Sequence, residues 1–169
     1  APGLLADVVI TELMADNDGT LADEDGDFSD WLELHNSGTD SVDLDGWLLF
    51  DDPDGLGWRF PSIELGPGEF VVVFASGKDR SSVGGELHTS FRLDSSGEYL
   101  GLYRPDSISI VVEFAPGFPP QREDYSYGFE MGAGFLEDSP VYFVSPTPGS
   151  ANGAGLEGFV SDVVLSHES

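Results

Sequence analysis

Seven carboxylates fall between Asp16 and Asp30, in the stretch Asp16-Asn17-Asp18-Gly19 … Asp23-Glu24-Asp25-Gly26-Asp27-Phe28-Ser29-Asp30, without one Lys or Arg among them. Calcium suits such a run, because it takes six to eight oxygens and alternating Asp with a turn-permitting Gly is how a loop wraps it. Asp16, Asp18, Asp23, Asp25, Asp27 and Asp30 are the candidate metal ligands. The run lacks the complete twelve-residue loop and closing bidentate Glu of an EF-hand, so a solvated acidic loop stands beside the calcium reading. A second cluster, Asp51-Asp52-Pro53-Asp54-Gly55, reads as an Asx-Pro turn or as a contributor to the same ion if the two loops meet.

Catalytic constellations are harder to find. The histidines are His35, His88 and His167, with neither a His-Glu-x-x-His pair nor a Gly-x-Ser-x-Gly elbow. A triad through His88 and Ser90 would have to be assembled in space, since triads have no fixed sequence order. Carboxylate pairs are too abundant here to point to glycoside hydrolysis. No catalytic residue is assigned and the chain is read as a non-enzyme, a hydrolase-associated accessory domain being the weaker alternative. Trp47, Trp58, Tyr99, Tyr125 and Tyr127 either line a face for a glycan or peptide or belong to the core. Arg59 and Arg92 are expected to pair with acids such as Glu12 or Glu33, because a cation near a core needs a partner.

Charge bounds the partners. The chain of 169 residues carries 32 acidic and 6 basic side chains, a formal net charge of −26, and residues 1–58 hold 16 of the acids and no Lys or Arg. A phosphate backbone is bound by clustered cations that displace counterions, so nucleic acid is excluded as a partner, and anionic lipid with it. Like charge also opposes self-association, and a monomer is expected. There is no cysteine, hence no disulfide framework, and no stretch approaches the length of a membrane span. The start at Ala1-Pro2-Gly3 without an initiator Met leads us to expect a piece of a longer protein.

The elements that must position these residues are strands. Short apolar or alternating runs recur between Gly, Pro, Asp and Asn, and no helical period persists. Strands are predicted at Val8–Met14, Trp31–His35, Val42–Leu44, Trp47–Phe50, Trp58–Phe60, Phe70–Phe74, His88–Phe91, Tyr99–Tyr103 and Ile110–Phe114, with Tyr125–Tyr127 as a last edge strand. Phe70–Phe74, apolar throughout, is expected to be central. Pro116, Pro119 and Pro120 exclude a central strand there and suggest an extended wrap. Many short strands at this spacing give an all-β sandwich of two facing sheets.

Taken in order, Val9-Ile10-Thr11-Glu12-Leu13-Met14, Ser29-Asp30-Trp31-Leu32-Glu33-Leu34-His35-Asn36, Val42-Asp43-Leu44-Asp45-Gly46-Trp47 and Trp58-Arg59-Phe60-Pro61 resemble bacterial lamin-tail domains. Gly68–Ala75, Phe91-Arg92-Leu93 with Gly97–Leu100, and the closing Pro146–Asn152 extend the resemblance over about residues 8–152. The resemblance implies an immunoglobulin-like β-sandwich for residues 1–153. Residues 154–169 are expected to be a linker or the truncated start of a chitobiase- or fibronectin-like module. It further implies a non-catalytic interaction or structural module of a larger secreted or cell-surface bacterial protein, with a protein or glycan partner. A calcium-dependent ligand-binding domain is the alternative.

Overall fold

The computed structural model describes residues 8–131 and 139–159, and the fold over them is an all-β, immunoglobulin-like sandwich. Twelve strands follow in chain order: β1 (Val8–Met14), β2 (Asp30–Asn36), β3 (Val42–Asp43), β4 (Leu48–Phe50), β5 (Trp58–Arg59), β6 (Glu64–Leu65), β7 (Phe70–Ala75), β8 (Leu87–His88), β9 (Leu100–Tyr103), β10 (Ile110–Phe114), β11 (Ser126–Gly128) and β12 (Val141–Phe143). One sheet has six strands in the order β12-β11-β1-β2-β7-β8, a second has four in the order β10-β9-β4-β5, and β3 pairs with β6 as a small ladder.

Period-two alternation, shifted in β1 by a bulge between Ile10 and Glu12 that turns Leu13 to the same side as Ile10, explains which side chains meet. From the six-stranded sheet, Ile10, Leu13, Leu32, Leu34, Val73 and Leu87 point inward. Leu49, Trp58, Leu100, Leu102 and Phe114 face them from the other sheet, and both Trp47 and Trp58 belong to this core. Phe118 adds to it from the proline-rich wrap, whose backbone follows the turn before β9 through Phe118 N–H to Glu98 O at 2.9 Å and Gln121 N–H to Ser95 O at 2.7 Å.

The outer face of the large sheet is covered as well. Successive cross-strand partners form a row Met14–Trp31–Phe74–His88 and a shorter row Glu12–Glu33–Val72. Leu21, from the loop after β1, packs on the first row, and Thr147 and Gly149 donate to the carboxylates of the second. β1 and nearly all of β2 are therefore buried on both faces.

Two expectations need correction, and one strand was missed. Phe70–Phe74 is not the central strand: β1 and β2 occupy the middle, and the first three residues of β7 are half-exposed because β8 spans only its far end. The segment Tyr125–Tyr127 does not form an edge, since β11 lies between β1 and β12. The edge strand β12 was not foreseen; it is three residues long and is followed by Leu156, whose backbone exchanges hydrogen bonds of 2.8 and 2.7 Å with Tyr142. Phe159 continues this contact against Tyr125 and Tyr142, and residues 160–169 lie outside the described residues.

Candidate functional site

The acidic loop is built by side chains that replace a missing ladder. Asn17 donates through Nδ2 to Leu21 O at 2.7 Å and Ser29 O at 2.8 Å, while its Oδ1 accepts from Thr20 Oγ1 at 2.7 Å. Asp23 closes the tip: its Oδ1 accepts from Asp25 N–H at 3.0 Å and Asp27 N–H at 3.1 Å, its Oδ2 from Ser29 Oγ at 3.0 Å. This is the local bonding that makes Asp a turn residue, with Gly26 supplying the positive φ of 82°.

Around this tip the structure gathers Asp23, Asp25 and Asp27, and it places the ammonium of Lys78 among them. Lys78 Nζ lies 2.6 Å from Asp23 Oδ2, 2.7 Å from Asp25 Oδ2 and 2.9 Å from Asp27 Oδ2. Arg80 adds Nη1 contacts of 3.0 Å to Glu24 Oε1 and 2.8 Å to Asp25 Oδ2. Burial alone would raise the Asp23 carboxyl, but the bonds from Lys78, Asp27, Ser29 and Asp25 outweigh it and bring its pKa down to about 2. For Lys78, desolvation is likewise overcome by the three carboxylates, which hold its pKa well above the ordinary lysine value.

The remaining candidate ligands go elsewhere. Asp18 and Gly19 donate their backbone N–H groups to Asp124 Oδ1, each at 2.9 Å, and the Asp16 carbonyl accepts from Asp124 N–H at 2.8 Å. Asp30 lines a cleft of about 380 Å³ with Asp27, Phe28, Ser76, Lys78 and Arg92. Burial raises its pKa to about 6 against the bond from Asn17 N–H. Among the described residues, only Asp23, Asp25 and Asp27 of the six converge as one group of ligand atoms.

Arg59 and Arg92 do not reach Glu12 or Glu33. Arg59 Nη1 donates to Gly46 O at 3.2 Å and Arg92 Nε to Ser76 O at 2.9 Å. The two glutamates sit at mid-sheet under the closing segment, where hydroxyls and amides satisfy them. The His88–Ser90 pairing is absent too, because the hydroxyl on His88 Nδ1 is that of Ser76, at 2.9 Å, while Ser90 is exposed.

A second feature lies on the outer face of the four-stranded sheet. Leu48, Phe50, Tyr99 and Tyr103 cluster there, outside the core. Tyr99 and Tyr103 share a hydroxyl contact of 2.8 Å, and Tyr99 donates to Glu113 Oε2 at 2.8 Å. Two glycines shape it: a Cβ on Gly57 would lie 2.6 Å from the Phe50 ring, and one on Gly101 would lie 2.5 Å from the Tyr99 hydroxyl. The result is a groove of about 440 Å³ walled by Leu48, Phe50, Pro53, Leu56 and Tyr103 with Asp54 at its rim. Leu56 is 94% exposed, and Ile108 on the neighbouring loop is 81% exposed.

The chain matches a known family model, the Lamin Tail Domain, over residues 5–113. The chain belongs to the lamin tail domain family. Comparison with curated proteins found no match. The lamin tail domain is a non-catalytic, immunoglobulin-like fold, and this one is compatible with an interaction module. The closing segment that grips Glu12 and Glu33 lies beyond the matched residues.

Sequence reasoning overlooked Lys78, Arg80 and Glu86, and it weighed His88 only as a catalytic base. One clue was present: the only lysine of the chain and one of its five arginines stand two residues apart, opposite no acids of their own segment except Asp79.

Proposed function

We propose that this lamin tail domain is a non-catalytic interaction module of a larger secreted or cell-surface bacterial protein, holding a protein partner in the groove of the four-stranded sheet. The groove carries the reading. Aromatic walls, a nearly fully exposed Leu56 and a rim carboxylate at Asp54 form the combination that anchors a segment mixing apolar and basic side chains. The charge of −26 favours such a partner and repels nucleic acid and anionic surfaces. The absence of cysteine does not oppose secretion, because a domain of this size stands without disulfides.

Selection of displayed peptides against the immobilised chain tests this. Enriched sequences should combine aromatic residues with Lys or Arg, and their binding should be lost on Leu56→Asp and Tyr103→Ala. Binding that survives both substitutions, or turnover of ester, glycoside or phosphate substrates by the purified chain, would sink the reading.

Calcium dependence is the second reading, favoured by the convergence of Asp23, Asp25 and Asp27. An ion there takes the oxygens that now hold Lys78, so Ca²⁺ and the ammonium compete. Calorimetric titration of the wild type and of Lys78→Met separates the cases: saturable binding in the wild type supports a calcium site, and heat in neither protein excludes one.

A further inference from the structure

His88 is fully buried, yet its Nε2 has no hydrogen-bond partner. The nitrogen points at two carboxylates, with Glu86 Oε2 at 3.8 Å and Glu24 Oε1 at 3.9 Å. Both separations are too long for a hydrogen bond. All three atoms lie within 4.8 Å of one another, and two ligands of one tetrahedral ion at 2.0–2.2 Å stand roughly 3.4 Å apart, so a small closure brings them to coordination distance.

We propose that His88, Glu24 and Glu86 form a binding site for a divalent transition-metal ion of the Zn²⁺ type, distinct from the Asp23–Asp25–Asp27 cluster. Three protein ligands leave a fourth position for water. An imidazole nitrogen among the ligands selects such an ion over Ca²⁺, which takes oxygen.

The surroundings prepare the histidine for this role. Its Nδ1 meets Ser76 Oγ at 2.9 Å, and its ring stacks on Phe74 with centroids 5.3 Å apart and planes 22° apart. With Nδ1–H donated to the hydroxyl, Nε2 carries the lone pair, which is how an outer partner fixes a metal-binding tautomer. Ser76 is in turn held by Lys78 N–H at 3.1 Å. Glu86 is aligned through Glu24 N–H, which donates to its Oε2 at 2.6 Å. Both glutamate side chains are partly exposed, at 44% for Glu24 and 38% for Glu86, giving an ion a route in. Arg80 contacts Glu24 Oε1 but also Asp25 Oδ2 at 2.8 Å, so it keeps a partner when the ion takes Glu24. The ion ties the acidic loop to the segment entering β8, a link supplied at present by side-chain ion pairs and the Glu24–Glu86 bond.

Calorimetry with ZnCl₂ alone in a non-chelating buffer tests the assignment. One site with Kd on the order of micromolar is expected, unaffected by millimolar Ca²⁺. Glu24→Gln and Glu86→Gln, both at partly exposed positions and checked for folding by circular dichroism, should each weaken binding by about tenfold or more. Long-range ¹H–¹⁵N spectra should show Zn²⁺ moving the His88 Nε2 resonance while leaving His35 in place. No saturable Zn²⁺ binding, unchanged affinity in the Glu24→Gln/Glu86→Gln double variant, an unmoved His88 resonance, or equal competition by Ca²⁺ would each overturn the assignment.

Discussion

Glu12 on β1 and Glu33 on β2 are direct cross-strand partners, both with no solvent exposure, and the loop through Thr147 and Gly149 closes over them. Two acids side by side in a sheet would repel if both were ionised. Each is surrounded by donors instead. Glu33 accepts from Thr11 Oγ1 at 2.7 Å and Gly149 N–H at 2.5 Å, while Glu12 accepts from Ser126 Oγ, Thr147 N–H and Thr147 Oγ1.

Burial lifts the Glu33 pKa from 4.5 to about 7, against the bonds from Thr11 and Gly149, and the Glu12 charge adds to the rise. Glu12 is raised by burial too. A carboxyl with a raised folded pKa favours the fold fully below its unfolded value and loses that contribution as pH rises through the folded one. Stability should therefore fall between about pH 5 and pH 8, by roughly 2–3 kcal/mol for Glu33. Urea midpoints across that range check it. Glu33→Gln should flatten the slope and raise stability at pH 8, since an amide satisfies Thr11 and Gly149 without charge.

Asn152 fastens the lid over that pair. Its Nδ2 donates to Thr11 O and Phe129 O, each at 2.9 Å, and its Oδ1 accepts from Thr147 Oγ1 at 2.8 Å, at 4% exposure. Asn152→Ala removes three bonds, one of them fully buried, and takes a donor from Phe129 O while Thr11 O keeps the Phe129 N–H at 2.9 Å, which costs about 1–3 kcal/mol. Hydrogen exchange should show the Thr147 and Gly149 amides losing protection before the core strands do.

Alternation and turn chemistry made the long strands legible: Val8–Met14, the Leu32/Leu34 face and Ile110–Phe114 are strands where expected, although bulges after Ile10 and Ile110 shift the faces of β1 and β10. The short strands β6 and β12 escaped because their pairing is decided at a distance, and the strand expected at His88–Phe91 is Leu87–His88, which runs parallel to β7 after the excursion through residues 76–86. Lys78 meets Asp25 across 53 positions, so nothing local in the acidic loop announced its cation. From sequence, Glu12 and Glu33 are expected to pair with Arg59 or Arg92, because the segment that covers and satisfies them lies more than a hundred residues downstream.

Lys78 offsets the repulsion among Asp23, Asp25 and Asp27, and the Asp23 side chain is fully buried. Lys78→Met strips the buried carboxylate of its ion partner, a change that costs about 3–5 kcal/mol when a buried pair is broken. Asp23→Asn should cost less, because the ammonium keeps two acids. The pH response has the opposite sign to that of Glu33: a pKa depressed to about 2 gives stability above the unfolded value of 3.8 that is lost as pH falls toward 2. Unfolding curves of the two variants at pH 7 and pH 3 check both statements, and the deficit of Lys78→Met should shrink at the lower pH.

Gly128 sets how closely β11 approaches β1. A Cβ there would lie 2.0 Å from Thr11 O and 2.9 Å from the Glu12 Cα, both backbone atoms that cannot rotate aside. Gly128→Ala must therefore push the strands apart where Glu12 pairs with residue 128 and where Ser126 bonds the Glu12 carboxyl. The cost belongs at the upper end of the ~1–3 kcal/mol typical of overpacking. Because the displaced bond is one that the buried carboxylate needs, the damage should exceed that of Gly153→Ala, where a Cβ meets nothing within 4 Å. Thermal unfolding of the two variants at one pH gives the comparison, and equal melting temperatures would mean that β11 is not held at this distance.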